Sequence, residues 1–188
     1  MRILGIDTSL TATGLARIDV IAVEEDDSPL AAYVAAVGKV GAPKPTKDKS
    51  KRAMARRVNA LIEQIEWCFE GDEKPDAVGM ESLAFGARGE GAWVLPWIFG
   101  RVIELCEKHD VPLQVVATSA RAKFATGKGN ASKDQVLAAV IKQFPEADVS
   151  DNNEADALAV AAVLCQLHGL PILPVTQYRL DVIAGLGD

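Results

Sequence analysis

Three acids in this chain stand at positions where chemistry is possible. Asp7 closes the apolar run in "ILGIDTSLTATG" and is followed at once by small hydroxyl residues and a glycine. Glu81 closes the short apolar run "AVGME". Asp156 is expected in the first turn of the final helix, in "NNEADALAVAA", between Ala155 and Ala157. A helix start tolerates an acid electrostatically, and these neighbours predict that it faces the protein rather than open water. Buried acids are costly unless paired, protonated or bound to metal. No histidine or cysteine lies near the three, so an all-oxygen ligand set suited to Mg²⁺ or Mn²⁺ is expected rather than zinc. Two such ions about 4 Å apart can activate water and stabilise the leaving oxygen in phosphodiester cleavage. Taken singly, Asp7 reads as a turn residue, Glu81 as a loop residue and Asp156 as a partner of the helix dipole. The joint pattern points to a site.

Elements must bring these acids together. Residues 2–7 read as a strand, with 13–23 and 30–40 as two more, separated by a tight turn and by the turn material "EEDDSP". Ala53, Met54, Val58, Leu61, Ile62, Ile65 and Phe69 recur at three- and four-residue steps, which predicts an amphipathic helix over about 51–70. A strand follows at 77–81, a glycine-rich loop at 82–93, a helix over about 93–109 and a strand at 111–118. A short helix at "SARAKFA" leads into the loop "TGKGNAS", where Ser132 reads as the N-cap of a helix over about 133–144. The last helix is expected over 152–168, and the tail after it shows no clear period. Three consecutive strands form a meander and later strands return through helices. The expected fold class is therefore α/β, a mixed five-stranded sheet with helices on both faces.

Bulk properties agree with one domain. The chain has 188 residues, 49% of them hydrophobic and 24% charged, which is globular rather than disordered. No apolar run is long enough to span a membrane, and "MRILGID" lacks a signal-peptide pattern. Cys68, Cys106 and Cys165 are widely spaced, as in a cytoplasmic protein with reduced thiols. The net charge of −6 argues mildly against a nucleic-acid partner. Its distribution argues otherwise: Lys39 to Arg57 carries eight basic residues against one acidic. That stretch reads equally as a solvated loop and helix face.

With these stretches in view, the chain resembles the RuvC family of Holliday junction resolvases, of RNase H-like fold, and among them phage-type members. The resemblance runs from Met1 to about His168 and rests on "ILGIDTSLTATG", "VGMESLAFG", "KFATGKGNASKDQV" and "NEADALAVA". The first is weakly specific, since related ATPases share a glycine-aspartate turn; the last two, in this order and spacing, are far more so. The resemblance implies a nuclease domain over 1–170 with a C-terminal tail over 171–188. It also implies metal ligands at Asp7, Glu81 and Asp156. The family's remaining acid falls on Asn153, which keeps an oxygen but loses a charge. Residues i and i+3 share a helix face, so Asn153 can stand beside Asp156; Asp151 is its rival for the role. Glu154 faces elsewhere.

The same resemblance implies a catalytic role for Lys133, DNA contacts from Lys123, Lys128 and Lys133, and a junction-contacting loop with Phe85 stacking on a base and Arg88 beside it. From the residues alone, Gly127 and Gly129 let the backbone approach a phosphate that Lys123, Lys128 and Lys133 can neutralise; the plainer alternatives are a surface loop before a capped helix for the lysines and a local core anchor for Phe85. Lys51 and Arg52, in the basic segment, would hold a junction arm. The expected cofactor is Mg²⁺, with Mn²⁺ substituting, two ions per site. The expected assembly is a homodimer on branched four-way DNA, with part of the Trp93, Trp97 and Phe99 stripe at the interface. Three rivals remain open: an actin-like ATPase or sugar kinase, which would need a second similar half; a nuclease of the same fold acting on forks, flaps or RNA–DNA hybrids; and a junction-binding protein that does not cut.

Overall fold

The computed structural model describes residues 1–22, 30–44, 47–83 and 89–186. Five strands and six α-helices follow one another among the described residues: β1 (Arg2–Asp7), β2 (Thr13–Ala22), β3 (Ala32–Val40), α1 (Lys51–Glu66), β4 (Ala77–Glu81), α2 (Gly91–Lys108), β5 (Leu113–Val116), α3 (Thr118–Thr126), α4 (Lys133–Gln143), α5 (Asn152–Leu167) and α6 (Gln177–Ala184). The sheet order is β3-β2-β1-β4-β5. β1, β2 and β3 form the antiparallel meander, while β1, β4 and β5 run parallel. The mixed five-stranded sheet with helices on both faces is thus the observed architecture.

Period-two alternation divides the central strands between two cores. Leu4, Ile6, Val78 and Met80 face α1 and α2, where they meet Val58, Leu61, Ile65, Ile98 and Val102. Ile3, Ala16, Ile18 and Ala77 face the other way, onto α5 and the helices around it. α5 is buried on all sides from Glu154 to Cys165, as expected of a helix apolar all round. Its close approach is possible because Gly5 and Gly14 lie beneath it. A Cβ at Gly5 would overlap the carbonyl oxygen of Ala157, and one at Gly14 that of Asn153.

Several boundaries differ from the sequence expectation. α1 ends at Glu66, and Phe69 packs from a separate 3₁₀ turn, Trp67–Phe69. β5 is shorter than the apolar run 111–118. Val111 instead closes the end of α2 by donating its N–H to Cys106 O (2.9 Å), and Ala117 opens α3. The stretch without period after residue 170 contains α6. Its inward positions are Arg179 and Val182, so an arginine stands where an apolar signal was sought. Arg179 is buried and donates from Nε to Phe124 O (3.1 Å) and from Nη1 to Pro174 O (2.8 Å), which fastens the tail to α3.

Candidate metal centre

Strand register assembles the site. β1 and β4 pair in parallel with Ile6 beside Met80, so the next residue on each strand is Asp7 and Glu81. Both follow by two a glycine, Gly5 or Gly79, that admits α5. Alternation therefore puts both carboxylates on the α5 face, just past the point where the helix crosses the sheet. α5 supplies Asp156 from there. Asp156 lies four residues in from Asn152, past the first turn, so packing rather than the helix terminus holds it.

One carboxylate oxygen from each of Asp7, Glu81 and Asp156 lies within 4.8 Å of the others, and Glu81 and Asp156 are buried. Burial raises the pKa of Asp7 to about 7, helped by the charges of Glu81 and then Asp156, against the pull of Lys133 and Arg121. Burial likewise raises Asp156 to about 6, opposed by Arg121, helped by Glu81 and opposed again by Lys133. Three converging hard oxygen donors, two of them on buried side chains and the third on a partly buried one, fit a divalent cation such as Mg²⁺ or Mn²⁺. Among the described residues Asp156 Oδ1 is buried with no aligned hydrogen bond, only the charge of Arg121 Nη1 at 2.8 Å, and is an acceptor that an ion could satisfy.

The cluster holds a residue the sequence reading did not single out. Arg121 of α3 is 3% exposed and places Nη2 3.0 Å from Glu81 Oε1 and Nη1 2.8 Å from Asp156 Oδ1. The one signal for it in sequence is its position three residues before the buried Phe124, on the same helix face. Lys123, two residues beyond Arg121, points elsewhere and pairs with Asp181 of α6 at 3.1 Å. Lys133 opens α4 directly after Ser132, which forms a capping box with Gln135, and its charge reaches Asp7 and Asp156. Lys128 is exposed in the loop between α3 and α4.

The two candidates for the remaining ligand part company here. Asp151 is the N-cap of α5, accepting from the backbone of Asn153 and Glu154, and pairs with Lys39 Nζ at 2.6 Å. Those contacts use it outside the cluster. Asn153 donates its Nδ2 to Ala12 O (2.8 Å), and no hydrogen bond engages its Oδ1 among the described residues. Glu154 does face elsewhere, accepting from Ser150 N and Oγ, both at 2.7 Å.

The basic segment is partly consumed internally. Besides Lys39, Arg56 pairs with Asp48 and Arg57 donates to Pro43 O. Lys47, Lys49, Lys51 and Arg52 are exposed, with Lys51 Nζ 4.1 Å above the Trp93 ring. Trp93 stacks on Trp97 at 6.1 Å, and both pack partly against the α1–α2 core, as does Phe99. Phe85 and Arg88 lie outside the described residues. Among the described residues no helix is long and apolar enough to cross a membrane.

No protein-family model matches the chain. Crossover junction endodeoxyribonuclease RuvC of Chlamydia trachomatis serovar L2 is 32% identical over 126 residues, 66% of this chain and 74% of that protein. The fold is that of Thermus thermophilus RuvC, at a TM-score of 0.64 and 22% identity over 90% of this chain and 98% of that one. It also matches T. thermophilus RuvC solved in complex with a Holliday junction substrate, at a TM-score of 0.57 and 24% identity over 86% and 90% of the two chains. The acids that the strands and α5 bring together sit in a chain this similar over most of the relative's length: the protein belongs to the RuvC family of crossover junction endodeoxyribonucleases.

Proposed function

We propose that the protein is a metal-dependent, structure-selective endonuclease that resolves four-way DNA junctions by symmetric phosphodiester nicks. The observation that carries this is the convergence of Asp7, Glu81 and Asp156 within 4.8 Å of one another in a RuvC-family chain. Asp7 would be shared by two Mg²⁺ ions, or Mn²⁺ in their place, with Glu81 and Asp156 each holding one and Asn153 lending its amide oxygen. Such ions lower the pKa of an attacking water and neutralise charge on the phosphate.

The chain's own groups do the remaining work. β1 and β4 give Asp7 and Glu81 rigid backbones, which keeps the donors in fixed geometry. Lys133 presents an ammonium whose field already reaches Asp7 and Asp156, suited to neutralising a phosphoryl oxygen beside them. Lys128 and Lys123 would follow the strand backbone, with Lys123 exchanging Asp181 for a phosphate. Lys51 and Arg52, with their exposed neighbours, would hold a junction arm. A two-fold homodimer, with the Trp93–Trp97–Phe99 region of α2 at its interface, would offer two such sites to a roughly two-fold junction.

The test is cleavage of labelled four-way junction, linear duplex, fork and RNA–DNA hybrid with Mg²⁺, Mn²⁺ or EDTA, beside Asp7→Asn. Paired nicks in the junction alone, abolished by EDTA and by the substitution, are expected. Equal cutting of forks or hybrids would replace junction resolution with a broader nuclease. Tight junction binding without cutting in either metal would make the protein a binder.

A further inference from the structure

The acidic cluster already contains a cation. One guanidinium, that of Arg121, spans two of the three carboxylates, reaching Glu81 at 3.0 Å and Asp156 at 2.8 Å. A divalent ion held by Glu81 or by Asp156 would draw on the same carboxylates. Arg121 is also poorly satisfied as a structural residue. Its Nε is buried with no hydrogen-bond partner among the described residues, and Asp156 Oδ1 receives charge but no aligned N–H.

Arg179 supplies the contrast within the same protein. It is equally buried, yet its Nε, Nη1 and Nη2 donate to Phe124 O, Pro174 O and Gln143 Oε1. Arg179 is fixed by directed bonds to groups that need donors. Arg121 is held by one aligned bond, from Nη2 to Glu81 Oε1, and otherwise by charge against Asp156, both groups that a metal ion satisfies as well. Its backbone is anchored in α3, where its N–H donates to Ala117 O at 2.9 Å, and Ala122, Phe124 and Ala125 are buried.

We propose that Arg121 is the resident counter-ion of the Glu81–Asp156 pair, holding both carboxylates in place until a divalent metal ion displaces it from at least one of them. The inference rests on the metal-centre reading above. Metal loading is then an exchange of cations rather than the filling of bare acids. The guanidinium spares the metal-free fold two uncompensated buried charges, and it weakens metal binding by competing for the same carboxylates.

The test is Mn²⁺ binding without DNA, by isothermal titration and by the electron paramagnetic resonance signal of free Mn²⁺. Thermal unfolding in EDTA and in Mn²⁺ accompanies it, for the unsubstituted protein, Arg121→Met and Arg121→Lys. Arg121→Met keeps an apolar stem and removes the charge. It should bind Mn²⁺ roughly tenfold more tightly or better, since a unit positive charge in contact with two of the ligand carboxylates is removed. It should also melt lower in EDTA and regain more on adding Mn²⁺. Arg121→Lys, which cannot bridge two carboxylates as a fork does, should fall between, and it carries the test if Arg121→Met fails to fold in EDTA. Mn²⁺ bound by the unsubstituted protein but no more tightly by either variant overturns the exchange and leaves the metal centre standing. No Mn²⁺ bound by any of the three overturns the metal centre, and the exchange with it.

Discussion

Asn153 ties the first turn of α5 to the β1–β2 turn: its Nδ2 donates to the carbonyl oxygen of Ala12 across 2.8 Å, between residues 141 apart in sequence. A carboxylate at this position could not make that bond, because it has no proton to donate. Asn153→Asp therefore trades a fold contact for a charge beside Asp156. In EDTA it should lose about 1 kcal/mol or more of stability, from the missing hydrogen bond and from added repulsion. In Mn²⁺ it should bind the ion more tightly than the unsubstituted protein. Calorimetry and melting curves in both conditions check this; unchanged Mn²⁺ affinity would remove Asn153 from the ligand set.

Stability of the metal-free protein should fall as pH rises. Asp7 and Asp156 are raised by the fold from an ordinary 3.8 to about 7 and about 6. The folded state thus keeps protons that the unfolded chain has already released. That contribution is complete below pH 3.8 and is lost as pH rises through about 6 to 7. Metal needs the deprotonated acids, so its stabilisation has the opposite slope, growing across the same window. Melting temperatures in EDTA and in Mg²⁺, measured between pH 5 and pH 8, should diverge with rising pH. Parallel curves would contradict the assignment.

The parts of the site that the sequence exposed are those set by short-range periodicity. Asp7 and Glu81 end apolar runs in which alternation and a preceding glycine fix the face, and Asp156 is set between alanines in a helix that is apolar all round. Arg121 was not legible, because an arginine in a short helix of small residues reads as surface, and its partners lie 40 residues back on β4 and 35 residues ahead on α5. The same holds for α6, whose inward face is built around Arg179 instead of an apolar stripe. Lys123 and Asp151 were legible as charged residues, but not their engagement with Asp181 and Lys39. Such pairings depend on how separate helices and strands come to lie together, which spacing within one element does not encode.

The exposed cations of the basic segment should act on DNA through charge alone. Replacing Lys47, Lys49, Lys51 and Arg52 together should weaken junction binding and flatten the dependence of affinity on salt by up to about four units of the log–log slope. Replacing the internally paired Arg56 and Arg57 should change the slope less. Filter binding or fluorescence anisotropy over a salt series separates the two sets. An unchanged slope in the fourfold variant would make the segment a solvated surface.

Close packing of α5 on β1 should govern both fold and site. Gly5→Ala would drive a Cβ into the backbone of Ala157 and Ala161, and neither can yield as a flexible side chain would. Moving the helix or the strand should cost about 1–3 kcal/mol, read as a lower urea midpoint. Because the same movement shifts Asp7 against Asp156, the variant should also lose part of the stabilisation by Mn²⁺. Gly38→Ala is the control, since a Cβ there meets nothing within 4 Å, and its midpoint should match that of the parent protein. Equal midpoints for Gly5→Ala and Gly38→Ala would show that α5 does not depend on the glycine beneath it. The register that brings the three carboxylates together would then have to be held elsewhere in the sheet.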